Sequence, residues 1–329
     1  MKILVNNSVN FLGKEMDNNN YDVIVIGGGP AGLTAGIYLA RGKMKTLILN
    51  EGTAGGQMVL THEVANYPGV ESISGYQLSN IMKNQAKNFG CVIKSNLKIT
   101  GLNLESEVKT VEVNNKDIYT AQAVILATGG RSRTLHVPGE DKFKGKGISY
   151  CATCDGDFFQ DKDIIVVGGG NSALEEAVSL TKYASSVTIV HQFDNFQAFQ
   201  HAVEEAERNE KISFIMESKI IEFIGEESLE KVVIENQKTK ETFEKEINGV
   251  FIFIGYEPNT EKFKGIVELN KWNEIVTKNN LETNIPGVFA AGDSIQKRYR
   301  QITTAVADGT VAALSAMEYI NNLHALVQA

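Results

Sequence analysis

The sequence predicts an α/β protein with two nucleotide-binding halves, and three observations predict it. A short, apolar, β-branched run from Tyr21 to Ile26 passes directly into Gly27-Gly28-Gly29-Pro30-Ala31-Gly32 and then into LTAGIYLARG, which has helical spacing. The unit recurs: Ile24-Val25-Ile26-Gly27-Gly28-Gly29 reappears as Ile165-Val166-Val167-Gly168-Gly169-Gly170, each copy followed by an Ala-rich helix and a second short strand. Finally, 30 glycines against 5 prolines place the excess in the residue that permits tight turns and close approach of backbone to a ligand.

Residues 1–20 end in Asp17-Asn18-Asn19-Asn20, with Met16 as a second candidate start, and read as a loosely ordered tail outside the fold. After the first strand, turn and helix, Lys45 to Asn50 reads as a second buried strand. Ala123 to Ala127 reads as a third, ending in Thr128-Gly129-Gly130. Asp163 to Val167 opens the second glycine turn, and Val187 to Val190 is its partner strand. Beyond residue 203 the pattern becomes β-rich with alternating charge, and Pro258 marks a crossing out of the second unit.

A chain of 329 residues with 43% hydrophobic content is long enough for two packed cores. Its net charge of −8 removes any global attraction for nucleic acid or an anionic membrane. Segment 203–246 holds 13 Glu against 7 Lys or Arg, so six of those negative charges sit on one solvated strand-and-turn face. Three cysteines cannot build a disulfide framework, and no leader or long apolar run is present, so a reducing, cytoplasmic setting is expected.

In Gly27-x-Gly29-x-x-Gly32 the first glycine makes the tight turn, the second admits a pyrophosphate and the third packs helix on strand. The phosphates then meet the helix N-terminus, where unpaired N–H groups favour negative charge, and Asn50-Glu51 closes the next strand. The second copy, Gly168-x-Gly170-x-x-Ala173, keeps the geometry with alanine at the packing position. Its partner strand ends in His191-Gln192-Phe193-Asp194-Asn195-Phe196-Gln197, with neither the carboxylate that reads an NAD ribose nor the arginine that reads an NADP phosphate clearly in place.

Cys151-Ala152-Thr153-Cys154-Asp155-Gly156 holds the only close cysteine pair. A Cys-x-x-Cys at a turn or helix start closes reversibly into a disulfide, and a lowered thiol pKa yields the attacking thiolate. Structural zinc wants four ligands, whereas Cys91 is the only other cysteine and the five histidines are scattered, so no metal is expected. Asp155 is either a turn residue or a proton donor and acceptor for the departing thiolate. Cys91, in FGCVIKS, reads as an inert core residue.

CATCDG at 151–156, GGGPAG at 27–32, GGQ at 55–57, NYPG at 66–69, ATGG at 127–130, GGGNSALEEA at 168–177, NIPGVFAAGD at 284–293 and RQITTA at 300–305 stand in one order along the chain. Together they resemble the low-molecular-weight thioredoxin reductases over about residues 21–320. The resemblance implies a homodimeric flavoprotein of two Rossmann-like, three-layer ββα domains. The FAD domain is discontinuous (21–132 and 259–329) and is interrupted by an NAD(P)H-like domain at 133–258 that carries the redox pair. By match, Gly27, Gly29, Pro30, Ala31, Gly32, Asn50, Glu51, Gly56, Gln57, Asn66, Gly292, Asp293, Arg300, Gln301 and Ile302 are implied FAD contacts. The catalytic group is implied to be Cys151, Cys154 and Asp155, with Cys154 nearer the flavin and Cys151 attacking thioredoxin. The resemblance also implies rotation of one domain against the other between the two half-reactions.

One departure stands out. Pyridine-nucleotide-using members read His-Arg-Arg-x-x-x-Arg after the second unit's strand, and this chain has His191, Gln192, Phe193 and Gln197. That pattern is similar to the branch that does without pyridine nucleotides, including ferredoxin-dependent flavin thioredoxin reductases. Docking of an acidic ferredoxin would want local positive charge, from Lys142, Lys144 and Lys146 or from Lys297, Arg298 and Arg300. Two rivals stay open: an NADPH-dependent reductase with an unconventional 2′-phosphate pocket, and a flavin-bound regulatory or interaction protein. The C-terminal NNLHALVQA reads either as a frayed helix end or as a cover that sets His324 against the flavin.

Overall fold

The computed structural model describes residues 19–61 and 64–328, so the expected tail lies outside it up to residue 18. The chain divides into two compact units. One takes the described residues up to Gly56, then 82–128 and 263–328; the other takes 57–81 and 129–262.

In the first unit, strands Val92–Ser95, Thr46–Asn50, Asn20–Ile26 and Asp117–Leu126 lie side by side in that order and all run parallel. The last of them is long enough to do two jobs. Its first half pairs antiparallel with Lys109–Val113, which pairs on to Ile99–Asn103, while its second half pairs parallel with Val288–Ala290. The central strand is buried throughout its apolar run, as a strand covered on both faces must be. Asn20, counted in the tail above, already pairs with Thr120 and so belongs to the sheet. One sheet face is closed by Ile24, Ile26, Leu47, Leu49, Val124 and Leu126 with Val111, Val113 and Tyr119 of the antiparallel extension. Helices Pro30–Arg41 and Ile302–Gln328 pack on each other, and Gly309 comes so close that a Cβ there would stand 2.2 Å from the Ala31 carbonyl oxygen.

The second unit repeats the plan. Five parallel strands stand in the order Ile212–Ile215, Ser186–Val190, Asp163–Val167, Gly249–Ile252 and Ile148–Ser149. Ile164, Val166, Val187 and Ile189 face Ala173, Leu174, Ala177 and Leu180 of the helix Asn171–Leu180. On the other face, Ile165, Val167, Val190, Val250 and Ile252 meet Ile220, Phe223, Val232 and Ile234 of an antiparallel sheet formed by Ser218–Ile224, Lys231–Asn236 and Thr242–Glu246. Alternate residues of each strand thus feed two different layers, giving the three-layer ββα arrangement. The β-rich reading after residue 203 holds from Ile212 onward, but 203–207 are helical, within Gln200–Glu207. Ala202 and Ala206, four apart, are its buried contacts, and a helical period suits the Glu-rich stretch between them.

The first glycine turn is sterically committed. A Cβ on Gly32 would lie 1.9 Å from the Gly27 carbonyl oxygen, and Gly27 itself has φ +114°. Gly32→Ala should therefore cost about 1–3 kcal/mol or more of stability, since neither partner is a flexible side-chain end. It should also lower the content of the FAD that the resemblance implies for this turn. Denaturant unfolding and flavin absorbance check both, and an unchanged midpoint with full flavin would refute the assignment.

Candidate functional site

In the first unit, Gly29 ends the strand-turn segment and starts the helix Pro30–Arg41, with no side-chain cap on the first N–H groups and proline in the first turn. Where a Cβ of Gly29 would stand, the nearest atom is the Gly56 Cα at 3.8 Å, so the backbone is approachable from that side. Asn50 braces the turn: its Oδ1 accepts the Gly28 N–H at 2.8 Å and its Nδ2 donates to the Gly52 carbonyl. Glu51 follows, with Oε1 accepting the Ile99 N–H at 2.9 Å.

From the other end of the chain, the strand Val288–Ala290 delivers Gly292 and Asp293 to the same place. Gly292 has φ +76°, and a Cβ there would meet the Ala31 Cβ at 2.9 Å. Burial raises the Asp293 carboxyl above its ordinary range, against the opposing pull of Lys297 and Arg300. Lys297 pairs with Asp308 and, at 3.7 Å, with Asp293; Arg300 pairs with Glu274. Of the cluster Lys297, Arg298 and Arg300, only Arg298 is an exposed residue, because the other two are turned into these ion pairs. Gln301 and Ile302 open the long helix, where the Gln301 N–H donates to Thr304 Oγ1. His324 lies near the C-terminal end of this helix, with Nε2 3.0 Å from Gln122 Oε1. Among the described residues no helix is long and apolar enough to cross a membrane.

The second unit holds the cysteine pair. The edge strand Ile148–Ser149 runs parallel beside Gly249–Ile252, and its carboxyl end leads straight to Cys151. Ligands and reacting groups of open α/β sheets collect at that end of the strands. Cys151 and Cys154 form a disulfide with Cα atoms 5.3 Å apart, and Cys151 Sγ accepts the Cys154 N–H at 3.2 Å at the start of the turn of helix Ala152–Asp155. Asp155 lies one position on. Burial raises its carboxyl, the hydrogen bond from Ser149 lowers it, and Asp157 raises it further. Gln57 and Asn66, the remaining FAD candidates, are both exposed in this unit's 57–81 segment, Gln57 in the 3-10 turn Gly56–Leu60 and Asn66 in a loop bounded by the Val64–Ile73 bridge. Cys91, in the first unit, is free and buried, and burial pushes its thiol up to about 12, which leaves it inert at neutral pH.

Two groups escaped the sequence reading. Ser149 is buried and lies between the Cys151 amide and Asp155; a serine two residues before a cysteine carries no signal of its own. Glu140, only 3% exposed, accepts the N–H groups of Leu135 and His136 and the Tyr150 hydroxyl, at 3.0, 2.7 and 2.7 Å. It ties the residue beside Cys151 to the segment 135–136, and a lone Glu in VPGED gave no hint of burial.

At the second glycine turn, Gly170 starts the helix Asn171–Leu180, again without a side-chain cap, and the Gln197 N–H donates to the Gly169 carbonyl at 2.8 Å. His191 is buried against Gly169, stacked on Phe196, with Nε2 3.1 Å from the Asn195 carbonyl oxygen. Burial lowers its pKa, so the ring is neutral at physiological pH. The rim beside it, Gln192, Phe193 and Gln197, is exposed and carries no positive charge.

A dinucleotide-type glycine turn on one doubly wound unit, with a cysteine disulfide at the carboxyl end of an edge strand of a second, is the arrangement of a disulfide oxidoreductase. The family model of the pyridine nucleotide-disulphide oxidoreductases matches residues 21–309. A thioredoxin reductase from Peptoclostridium acidaminophilum is 46% identical over 309 residues, covering 92% of this chain and 98% of that protein. A protein of Clostridium pasteurianum described as a 34.2 kDa protein in a rubredoxin operon is 48% identical over 304 residues, covering 92% and 98%. The crystal structure of thioredoxin reductase from Streptococcus pyogenes superposes with a TM-score of 0.89 at 40% identity, covering 93% of this chain and all of that one. The chain belongs to the pyridine nucleotide-disulphide oxidoreductase family, within its low-molecular-weight thioredoxin reductases. The family's cofactor is FAD. The approachable Gly29 backbone and the uncapped start of the Pro30–Arg41 helix fit its diphosphate.

Proposed function

We propose that this chain reduces the disulfide of thioredoxin, as a cytoplasmic homodimer, with electrons from a reduced ferredoxin and not from NADPH. The observation that carries the donor is the uncharged rim of the second glycine turn. Gln192, Phe193 and Gln197 stand where pyridine-nucleotide users of the family keep arginines, and none of the three carries a positive charge to pair with a 2′-phosphate. Lys142 and Lys146 are exposed beside the strand that leads to Cys151 and supply local positive charge for an acidic carrier.

FAD would be held by Gly27, Gly29, Pro30, Ala31, Gly32, Asn50, Glu51, Gly56, Gly292, Gln57, Asn66, Asp293, Arg300, Gln301 and Ile302, and when bound and reduced would supply an electron pair. The Cys151–Cys154 disulfide takes up two electrons and, through Asp155, one proton, leaving a thiol and a thiolate. Cys151 attacks the partner's disulfide as thiolate, forming a mixed disulfide and expelling a partner thiolate. Cys154 then attacks Cys151 Sγ, releases the second partner thiolate and restores the intramolecular disulfide. Asp155 takes and returns the proton that Cys154 must lose before its attack.

A second reading rests on the uncapped helix start at Gly170, which could hold the diphosphate of NADPH without a 2′-phosphate pocket. Anaerobic mixing of the oxidised holoprotein with NADPH, NADH and reduced ferredoxin, each alone, separates the two. Flavin absorbance should bleach with ferredoxin only. Bleaching by micromolar NADPH would overturn the donor assignment.

A further inference from the structure

The hydroxyl of Ser149 lies at the centre of a short network that nothing above assigns a role. It donates to Asp155 Oδ2 at 2.6 Å and accepts the Cys151 N–H at 3.1 Å, with the Cys151 carbonyl oxygen at 3.3 Å as its other acceptor. Ser149 is 4% exposed and sits in the edge strand, in register with Phe251 on Gly249–Ile252, so the sheet fixes the backbone that carries it. A hydroxyl has one proton to give. While Asp155 is ionised, that proton belongs to the carboxylate. Once Asp155 is protonated, its own proton can be donated to Ser149 Oγ, and the Ser149 proton is released to turn to the Cys151 carbonyl. One side chain thus joins the protonation state of Asp155 to the backbone on both sides of the Cys151 Cα.

We infer that Ser149 is a positioning residue that ties the Asp155 carboxylate to the Cys151 backbone and sets its acidity. The inference rests on the reading of Asp155 as the proton-transfer group. A hydrogen bond to the ionised form opposes what burial does, and so keeps the Asp155 carboxylate ionised to lower pH than burial alone would allow. The other acids near the Ala152–Asp155 helix do not supply this. Asp157, in the following turn, adds to the upward push. Glu176, on the helix packed against it, responds to its own burial and to Glu175.

The test uses the full-length, flavin-loaded protein with its pair reduced by excess dithiothreitol and then freed of reductant. The readout is the pH dependence of iodoacetamide alkylation of the pair and, separately, of the burst of thioredoxin disulfide reduction. In the parent the pH limb set by Asp155 should vanish on Asp155→Asn. Ser149→Ala should move that limb upward by about one pH unit, the change expected when a carboxylate loses one strong hydrogen bond. Ser149→Thr keeps the hydroxyl on a side chain that a strand accepts, and should restore the limb to within a few tenths of a unit. In the Asp155→Asn background, Ser149→Ala should change nothing further. A limb that Ser149→Ala leaves in place while Asp155→Asn removes it overturns the role of Ser149 alone. A limb insensitive to Asp155→Asn overturns the reading of Asp155 and this inference with it. A shift from Ser149→Ala that persists in Asp155→Asn shows that Ser149 acts on the thiols without Asp155, and also overturns the inference.

Discussion

Replacing both Cys151 and Cys154 with serine should abolish disulfide reduction while the flavin stays bound. A hydroxyl can neither accept an electron pair from flavin by opening an S–S bond nor exchange with a partner disulfide at neutral pH, so turnover should fall to the uncatalysed background. The cost to folding is small by comparison. The loop the disulfide closes spans a sequence separation of three, so little chain entropy is lost with it, and both cysteines are only partly buried. The flavin candidates Gly27 to Gly32, Gly292 and Asp293 belong to the other unit, so flavin content should match the parent. The measurement is thioredoxin-coupled turnover together with the flavin-to-protein ratio. Full activity in the double variant would sink the assignment, and lost flavin would move the pair from chemistry to architecture.

The triple change Gln192→Arg, Phe193→Arg and Gln197→Arg should create affinity for NADPH. All three positions are exposed on the rim of the second glycine turn, and the one ring contact given up is that of Phe193 with His191. A charge-assisted contact to phosphate is worth about 1.5–3 kcal/mol, and solvent exposure argues for the low end of that range. Three such contacts correspond to a tightening of about a thousandfold. NADH lacks the 2′-phosphate and should gain far less, and the NADPH gain should shrink with rising salt. Titration calorimetry with both nucleotides at two ionic strengths measures this. Equal gains for NADH and NADPH, or none for either, would show that something other than the missing arginines keeps NADPH out.

Much of the first unit was legible because its motif is local. A buried strand, a glycine turn and a helix start follow one another within residues 21–41, and the steric need for Gly32 is met by Gly27, five residues away. The same holds for Cys151 and Cys154, whose spacing already permits a disulfide. The helix Gln200–Glu207 was obscured because its fully buried anchors are two alanines amid glutamates, with only the half-buried Val203 beside them, a weak period beside the strong strands that follow. Lys297 and Arg300 read as surface charge, since their acidic partners, Asp308 and Glu274, lie 11 and 26 residues away in sequence.

Sequence alone determined the fold class, the repeated glycine turn, the close cysteine pair and the missing arginines, because each is written in neighbouring residues whose spacing has few physical solutions. Only the tertiary structure decided what surrounds them. It brought Gly292 from the far end of the chain to within a methyl group of Ala31, turned two of three C-terminal cations inward, buried Glu140 under Tyr150 and set Ser149 between Cys151 and Asp155. The physical reason is that a buried hydrogen bond or ion pair is specified by where strands and helices converge. Residues that carry no pattern in sequence acquire their roles from the distances the packed sheets impose.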